Sequence, residues 1–294
     1  MKLRRALLLA AALSGCVAAQ TPPTPAPAPP AAAAPRVPSG MQWLYGSGEG
    51  AASSVQAYNH FRDYVIRFAH NRPRQSVVLT PDSTLDNPTL RPCGNGPMAV
   101  VLDVDETVLQ NLGYEYDEAS RGLSYDQERW NRWERTGAGA VLPMPGAVQA
   151  LRAIRNEGVK VIFNSNRMAA NAAATQAAIE GAGLGPAVHG DTLYLQGDHG
   201  TGSAKDPRRA AIADRFCVIA MVGDQLGDFS DLFNARTLSV SDRRRYATAE
   251  RIGNMWGFGW FLLPNPVYGP GLRGNFDDVF PADRRWSDPQ GGND

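Results

Sequence analysis

Five short apolar runs punctuate the chain, at residues 100–102, 159–163, 192–195, 217–222 and 261–263. Runs of this length without polar alternation predict strands buried on both faces of a parallel sheet. Between them the apolar positions recur at helical spacing. Tyr58, Phe61, Val65 and Phe68 predict a surface helix over 51–70 with one buried face, its aromatics serving the core. Val148, Leu151 and Ile154 predict a helix over 146–157, which Gly158 stops. An Ala-rich helix is expected over 169–181. A further helix opens at Asp206-Pro207, with Asp as cap and Pro at the first helical position. Strands alternating with helices predict an α/β fold with a doubly wound parallel sheet. No internal repeat is visible.

The interruptions matter as much as the pattern. Residues 17–40 are Ala, Pro and Thr with almost nothing to bury, which predicts a semi-extended tether. Folded sequence begins near Met41. Gly46, Gly48 and Gly50 read as a turn, since their spacing does not suit a dinucleotide loop. Pro81, Pro88, Pro92, Gly94, Gly96 and Pro97 mark a long loop. Residues 110–145 do not pattern as a standard crossover. They concentrate Tyr114, Tyr116, Tyr125, Trp130 and Trp133 in a polar stretch, and residues 124–127 resemble a capping box that opens a helix carrying both Trp. This segment is the candidate for a small, mainly helical cap. The last residues, rich in Asp, Pro and Gly, are expected to be loosely ordered.

The N-terminus reads as a targeting segment. Lys2, Arg4 and Arg5 precede an apolar stretch, residues 6–13, too short to span a bilayer. It ends in Leu13-Ser14-Gly15-Cys16, the pattern of a bacterial lipobox, where Cys16 takes the lipid and residues 1–15 are removed. The alternative is an ordinary secretory signal cut after residues 17–19. Both readings export the protein. Val17, rather than an Asp, follows the lipid site, which favours the outer membrane by analogy with lipoprotein sorting.

Composition narrows the class. In 294 residues, 43% hydrophobic and 20% charged content is ordinary for a globular protein. Formal net charge is zero, so no basic field suggests a nucleic-acid polymer. Cleavage would remove three of 29 positive side chains and none of 29 negative ones, leaving the mature chain slightly acidic. Cys16, Cys93 and Cys217 form no Cys-x-x-Cys pair, which argues against zinc or redox sites. Cys93 and Cys217 precede strands expected to be neighbours. A disulfide between them stays open, because Cys93 lies several residues ahead of its strand.

The candidate chemistry sits where strands end. The run at 100–102 leads into Asp103-Val104-Asp105-Glu106-Thr107, the run at 159–163 into Asn164-Ser165-Asn166-Arg167, and the run at 217–222 into Gly223-Asp224, with Asp228 close behind. Any one of these alone reads equally well as a polar turn. In a parallel sheet all three meet along one edge, where ligands bind in open α/β folds. Grouped carboxylates repel unless a cation holds them, and hard oxygen ligands suit Mg²⁺, a frequent partner of phosphate. The Ser165 hydroxyl and the Lys205 ammonium would supply donors for phosphoryl oxygens. Taken singly, Lys205 would pass for a surface lysine, and Asn166 and Arg167 for residues capping a helix. His60, His70, His189 and His199 show no ligand spacing.

Asp103-x-Asp105-x-Thr107, Ser165, Lys205 and Asp224-x-x-x-Asp228 resemble, in order, the four motifs of haloacid dehalogenase-type phosphatases. Ser165-Asn166-Arg167, Lys205 to Arg209, and the stretches beginning at Trp43 and at Pro264 resemble more narrowly the class C acid phosphatases, bacterial surface lipoproteins of which some are nucleotidases. The resemblance covers roughly residues 41–275. It departs at Gly227, where several relatives carry another Asp.

The resemblance implies a haloacid dehalogenase-like fold and a Mg²⁺-dependent phosphomonoesterase working through an aspartyl-phosphate. Asp103 would be the nucleophile and Asp105 the general acid, then base. Asp103, the Asp105 main chain and Asp224 would hold Mg²⁺, with Asp228 close by. Ser165 and Lys205 would stabilise the phosphoryl group. Thr107, Asn166, Arg167 and Tyr114 are the candidate substrate contacts, while Trp130 and Trp133 are expected in the cap's own core. The partners expected are a small phosphomonoester, a nucleoside monophosphate or an aryl phosphate, and a membrane reached through the lipid anchor. Two other readings stay open: a phosphatase for sugar phosphates or other non-aromatic esters, and a binding lipoprotein that keeps the fold without catalysis.

Overall fold

The computed structural model describes residues 36–200 and 202–289. The lipid-site Cys16 and most of the tether lie outside them. Among the described residues nine strands form three sheets: β1 (Gln75–Leu79) with β2 (Leu90–Pro92), β4 (Leu109–Gln110) with β5 (Leu142–Pro143), and a parallel five-stranded sheet. The large sheet contains β3 (Met98–Leu102), β6 (Lys160–Met168), β7 (Leu193–Gln196), β8 (Cys217–Gly223) and β9 (Trp260–Leu262), in the order β7-β6-β3-β8-β9.

Strand β3 lies at the centre because both its faces are apolar. Val100 and Leu102 point into one core, with Phe61, Leu151 and Ile179 from three helices. Ala99 and Val101 point into the other, with Ile212, Phe229 and Trp260. Burying each large apolar side chain contributes roughly 1.5–3 kcal/mol, so the two-faced strand anchors both layers. Trp260 can be sealed in because its indole N–H donates to the Val77 carbonyl at 2.8 Å.

Several expectations are corrected here. The glycines at 46–50 do not form a free turn. Gly48 starts the Gly48–Ala69 helix, Ser47 caps it by accepting from the Gly50 amide at 2.9 Å, and Gly50 is required because a Cβ would lie 2.3 Å from the Trp43 carbonyl oxygen. The first helical turn among the described residues is Ser39–Met41. The loop expected across 81–97 contains β2, which pairs with an unforeseen β1. The cap helix Gln127–Thr136 is opened by Asp126, whose carboxylate accepts from the Arg129 amide at 2.7 Å, and not by Ser124. The Asp206–Arg215 helix takes its cap from outside: the Asp231 carboxylate accepts from the amides of Lys205 (3.0 Å) and Asp206 (2.6 Å). The final stretch from residue 271 holds short helical turns, and all its described residues are exposed.

Cys93 and Cys217 are joined by a disulfide, which ties the segment after β2 to the start of β8. Strand β6 runs past residue 163 to Met168. Its pairing with β7 passes from Asn164↔Tyr194 to Met168↔Gln196, four residues against two, and the irregularity releases Ser165, Asn166 and Arg167 toward the strand end. Between β4 and β5 the chain leaves the sheet as two helices, Leu112–Arg121 and Gln127–Thr136, which overlie that edge.

Candidate active site

The ends of β3, β6 and β8 converge on a cavity of about 470 Å³. Asp103, Asp105, Asn166, Lys205, Asp224 and Asp228 line it, with Tyr114, Tyr125 and Trp130 on the cap side. Asp103, Asp224 and Asp228 are buried, and one carboxylate oxygen from each lies within 4.8 Å of the others. The Lys205 ammonium contacts Asp103 and lies 2.7 Å from Asp228. Burial works against that ammonium, but the two carboxylates outweigh it and raise its pKa. Three buried carboxylates still face one lysine. Burial pushes Asp103 well above the usual carboxylate range, with Asp228 and Asp224 adding to it against the pull of Lys205. Burial and Asp228 raise Asp224 to about 7.

This donor set fits a divalent, oxygen-seeking cation. Asp224 is held for such a role by the Thr107 hydroxyl (3.0 Å), Gln225 Nε2 (3.0 Å) and Asn265 Nδ2 (2.7 Å), which fix both its oxygens.

Asp105 has other surroundings. Arg167 donates to it from Nε (2.9 Å) and Nη2 (2.7 Å), and Asn111 Nδ2 donates at 2.9 Å. The Ser165 hydroxyl is 3.5 Å away and accepts from the Arg167 amide at 3.0 Å. Asn111 Oδ1 in turn accepts from Trp133 Nε1 at 2.9 Å, so a cap side chain takes part in the network that positions Asp105.

Two expected substrate contacts are placed differently. Arg167 is only 2% exposed and is spent on Asp105 and Asn111. Thr107 is buried behind Asp224 and its carbonyl accepts from Tyr58. Neither lines the cavity: Thr107 turns inward in the loop after β3, and Arg167 does so at the irregular end of β6. Ser165 likewise sits behind the wall, beside Asp105, while its neighbour Asn166 faces the cavity. Asn166 Oδ1 accepts from Arg208 Nη2 at 2.5 Å, which leaves its amide nitrogen as the group offered outward. Tyr114 lines the cavity as expected, its ring edge-on to Trp130 at 4.8 Å and its hydroxyl accepting from Arg129 at 3.0 Å. Trp130, expected in the cap core, is half-buried on the cavity wall, whereas Trp133 packs inward against Gly113 and Gly137.

The sequence reading missed the buried glutamates. Glu106 has a left-handed backbone, φ 52°, uncommon for a residue with a side chain. Its carboxylate is held by Tyr45 (3.0 Å), Tyr268 (2.5 Å) and the Asn111 amide (2.7 Å), so the chain before and after the sheet clamps the Asp-x-Asp loop. Burial, then Asp105, raises Glu106 to about 7. Glu134 reaches from the cap to the Met168 amide (3.1 Å) and Asn171 Nδ2 (2.6 Å), fastening the cap to the end of β6. A signal for Glu106 existed: it sits between the second motif aspartate, Asp105, and Thr107. Glu134, in a stretch of Arg and Trp, gave none.

A family model for the haloacid dehalogenase (HAD) superfamily, subfamily IIIB (acid phosphatase), matches residues 53–271, and the chain belongs to that family of phosphomonoester hydrolases. The fold is similar to that of the class C acid phosphatase from Bacillus anthracis, with 23% identity, a TM-score of 0.62, and coverage of 79% of this chain and 84% of that one. The same organism's class C acid phosphatase with tungstate bound matches at 22% identity and a TM-score of 0.62, over 82% of this chain and 92% of that one.

Proposed function

We propose that this acid phosphatase is a Mg²⁺-dependent enzyme that hydrolyses nucleoside 5′-monophosphates and aryl phosphates through an aspartyl-phosphate. The observation that carries the reading is the buried group of Asp103, Asp224 and Asp228 around Lys205 on the wall of a cavity with aromatic sides. An Asp103 oxygen attacks phosphorus, and the bond from phosphorus to the leaving oxygen breaks. Asp105, aimed by Arg167 and Asn111, gives that oxygen a proton. Asp105 then takes a proton from water, the water oxygen attacks phosphorus, and the bond to Asp103 breaks to release phosphate. Lys205 and the outward amide of Asn166 offer donors to the phosphoryl oxygens. Asp103, Asp224, Asp228 and the Asp105 main-chain oxygen would hold the Mg²⁺, which neutralises charge on the transferring group.

The test is chelation. Turnover of nitrophenyl phosphate should be abolished by exhaustive chelation and restored by Mg²⁺. Full activity without divalent metal would remove the metal from the reading.

We further propose export and anchoring to the outer membrane by lipid on Cys16. The Leu13–Cys16 lipobox supports this, and so does the Cys93–Cys217 disulfide, a bond that persists in oxidising compartments. Among the described residues no helix is long and apolar enough to cross a membrane. Cys16→Ser should abolish acyl labelling. Labelling that survives the change would place the attachment elsewhere.

A further inference from the structure

Two cavities meet at one acid. The catalytic cavity extends from Asp103 and Lys205 to the cap aromatics, and a second of about 620 Å³ lies against Tyr45 and Tyr116. Glu115 lines both. It is 5% exposed, yet among the described residues its carboxylate accepts no hydrogen bond and forms no ion pair. The neighbouring acids are all satisfied: Glu106 by two tyrosines and Asn111, Glu118 by Arg129, and Glu134 by Asn171 and a main-chain amide. Arg129 exerts some pull on Glu115, but none of its hydrogen bonds reaches that carboxylate: Nη2 donates to Glu118, Tyr114 and the Ser124 carbonyl, and Nε is buried without a hydrogen-bond partner. Glu115 is also not among the sealed side-chain atoms that lack partners, so its oxygens keep access to the cavity space.

Burying an acceptor without a partner is unfavourable unless a ligand completes it. The aromatic walls cannot do the reading that Glu115 can. Ring faces stack on any flat group and are blind to what its edge carries. Burial, then Glu106 and Glu118, raise Glu115 to about 8; an N–H donor on the ring edge offsets that rise by pairing with the carboxylate form, and the carboxylate form repels a carbonyl oxygen.

Building on the phosphomonoesterase reading above, we infer that Glu115 is a specificity residue for the leaving group. It accepts from an N–H donor on the edge of a flat ring seated against Tyr114 and Trp130, so amino-substituted aromatic leaving groups are preferred to their carbonyl counterparts. A carbonyl counterpart leaves Glu115 unpaired and brings a second acceptor against it, which is the stronger form of discrimination.

The experiment measures kcat/KM of the full-length protein for cytidine and uridine 5′-monophosphates, which differ at one ring edge, with nitrophenyl phosphate as the control. Above the pH at which Glu115 ionises, the parent should prefer the amino member by roughly tenfold or more, the worth of one charge-assisted hydrogen bond. In Glu115→Leu the ratio should fall to about one. Glu115→Gln, which can turn N–H donors toward a carbonyl, should move the ratio to one or below, and it decides the matter if the Leu variant lacks a cooperative thermal transition. A parent ratio near one while nitrophenyl phosphate is hydrolysed overturns the inference, and so does a parental preference that survives substitution. Failure to hydrolyse nitrophenyl phosphate at all would overturn the phosphatase reading, and this inference with it.

Discussion

Asp103 and Asp105 are one residue apart and live in opposite surroundings. Asp103 faces two further carboxylates across a single lysine, and burial drives its pKa up. Asp105 faces a guanidinium and an amide, with three donated hydrogen bonds between 2.7 and 2.9 Å. The strand end explains the split. Asp103 continues the line of β3 and meets β8, which brings Asp224 alongside. Two residues later, just ahead of the left-handed turn at Glu106, Asp105 meets the released end of β6, which brings Arg167. One side chain type thus serves two kinds of chemistry through its neighbours: one carboxylate needs a cation to complete it, and the other has its cation built in.

That contrast can be broken in order of expected effect. Asp103→Asn should lower phosphoryl transfer by about 10³-fold or more for every phosphomonoester, since the nucleophile proposed for it is needed whatever departs. Single-turnover rates on two substrates would check this, and a loss confined to one of them would contradict it. Asp105→Asn should be selective. A positioned acid is typically worth about 10²–10⁴-fold when the leaving oxygen needs a proton, and much less for nitrophenolate. The nucleotide rate should therefore fall further than the nitrophenyl phosphate rate, and equal losses would remove the acid assignment. Metal affinity must be measured in both variants, because both positions belong to the proposed Mg²⁺ site.

The smallest effect concerns the clasp itself. Arg167→Met leaves the partly exposed Asp105 carboxylate without its guanidinium and should cost about 1–3 kcal/mol of stability. Adding Asp105→Asn should return part of that loss, because the stranded charge is gone. Denaturant unfolding of the two variants decides it; if the double variant is no more stable than the single one, the pair is not the unit described.

Much of this was legible from residues 100–228. Unbroken apolar runs gave the parallel sheet, and polar residues just past them gave Asp103, Asp105, Asp224 and Asp228, because a parallel sheet aligns its strand ends; Lys205 stood out only through its place in the family motifs. Arg167 and Thr107 were found but misplaced: a motif gives proximity, and only the loop's turn decides which side chains face the ligand. The β1–β2 pair was hidden because Pro88 and Pro92 flank or enter a three-residue strand, and proline reads as loop. Glu115 and Glu134 were invisible for a different reason. Their helices are short and strongly polar, so nothing in the periodicity marks which acid is buried. The partnership of Tyr45 and Tyr268 through Glu106 spans most of the fold and has no local signature at all.

That last clamp sets where the chain can be cut without harm. Gly40 lies so close to the Pro266 carbonyl that a Cβ would sit 1.9 Å from its oxygen, and five residues later Tyr45 reaches Glu106. A protease acting within the Ala/Pro-rich residues ahead of Ser39 would release the domain from the proposed lipid anchor with both hydroxyls still on Glu106. A cut after Gly46 would take Tyr45 away and leave a buried carboxyl beside the reacting aspartates with one clamp missing. The same few residues separate shedding from inactivation.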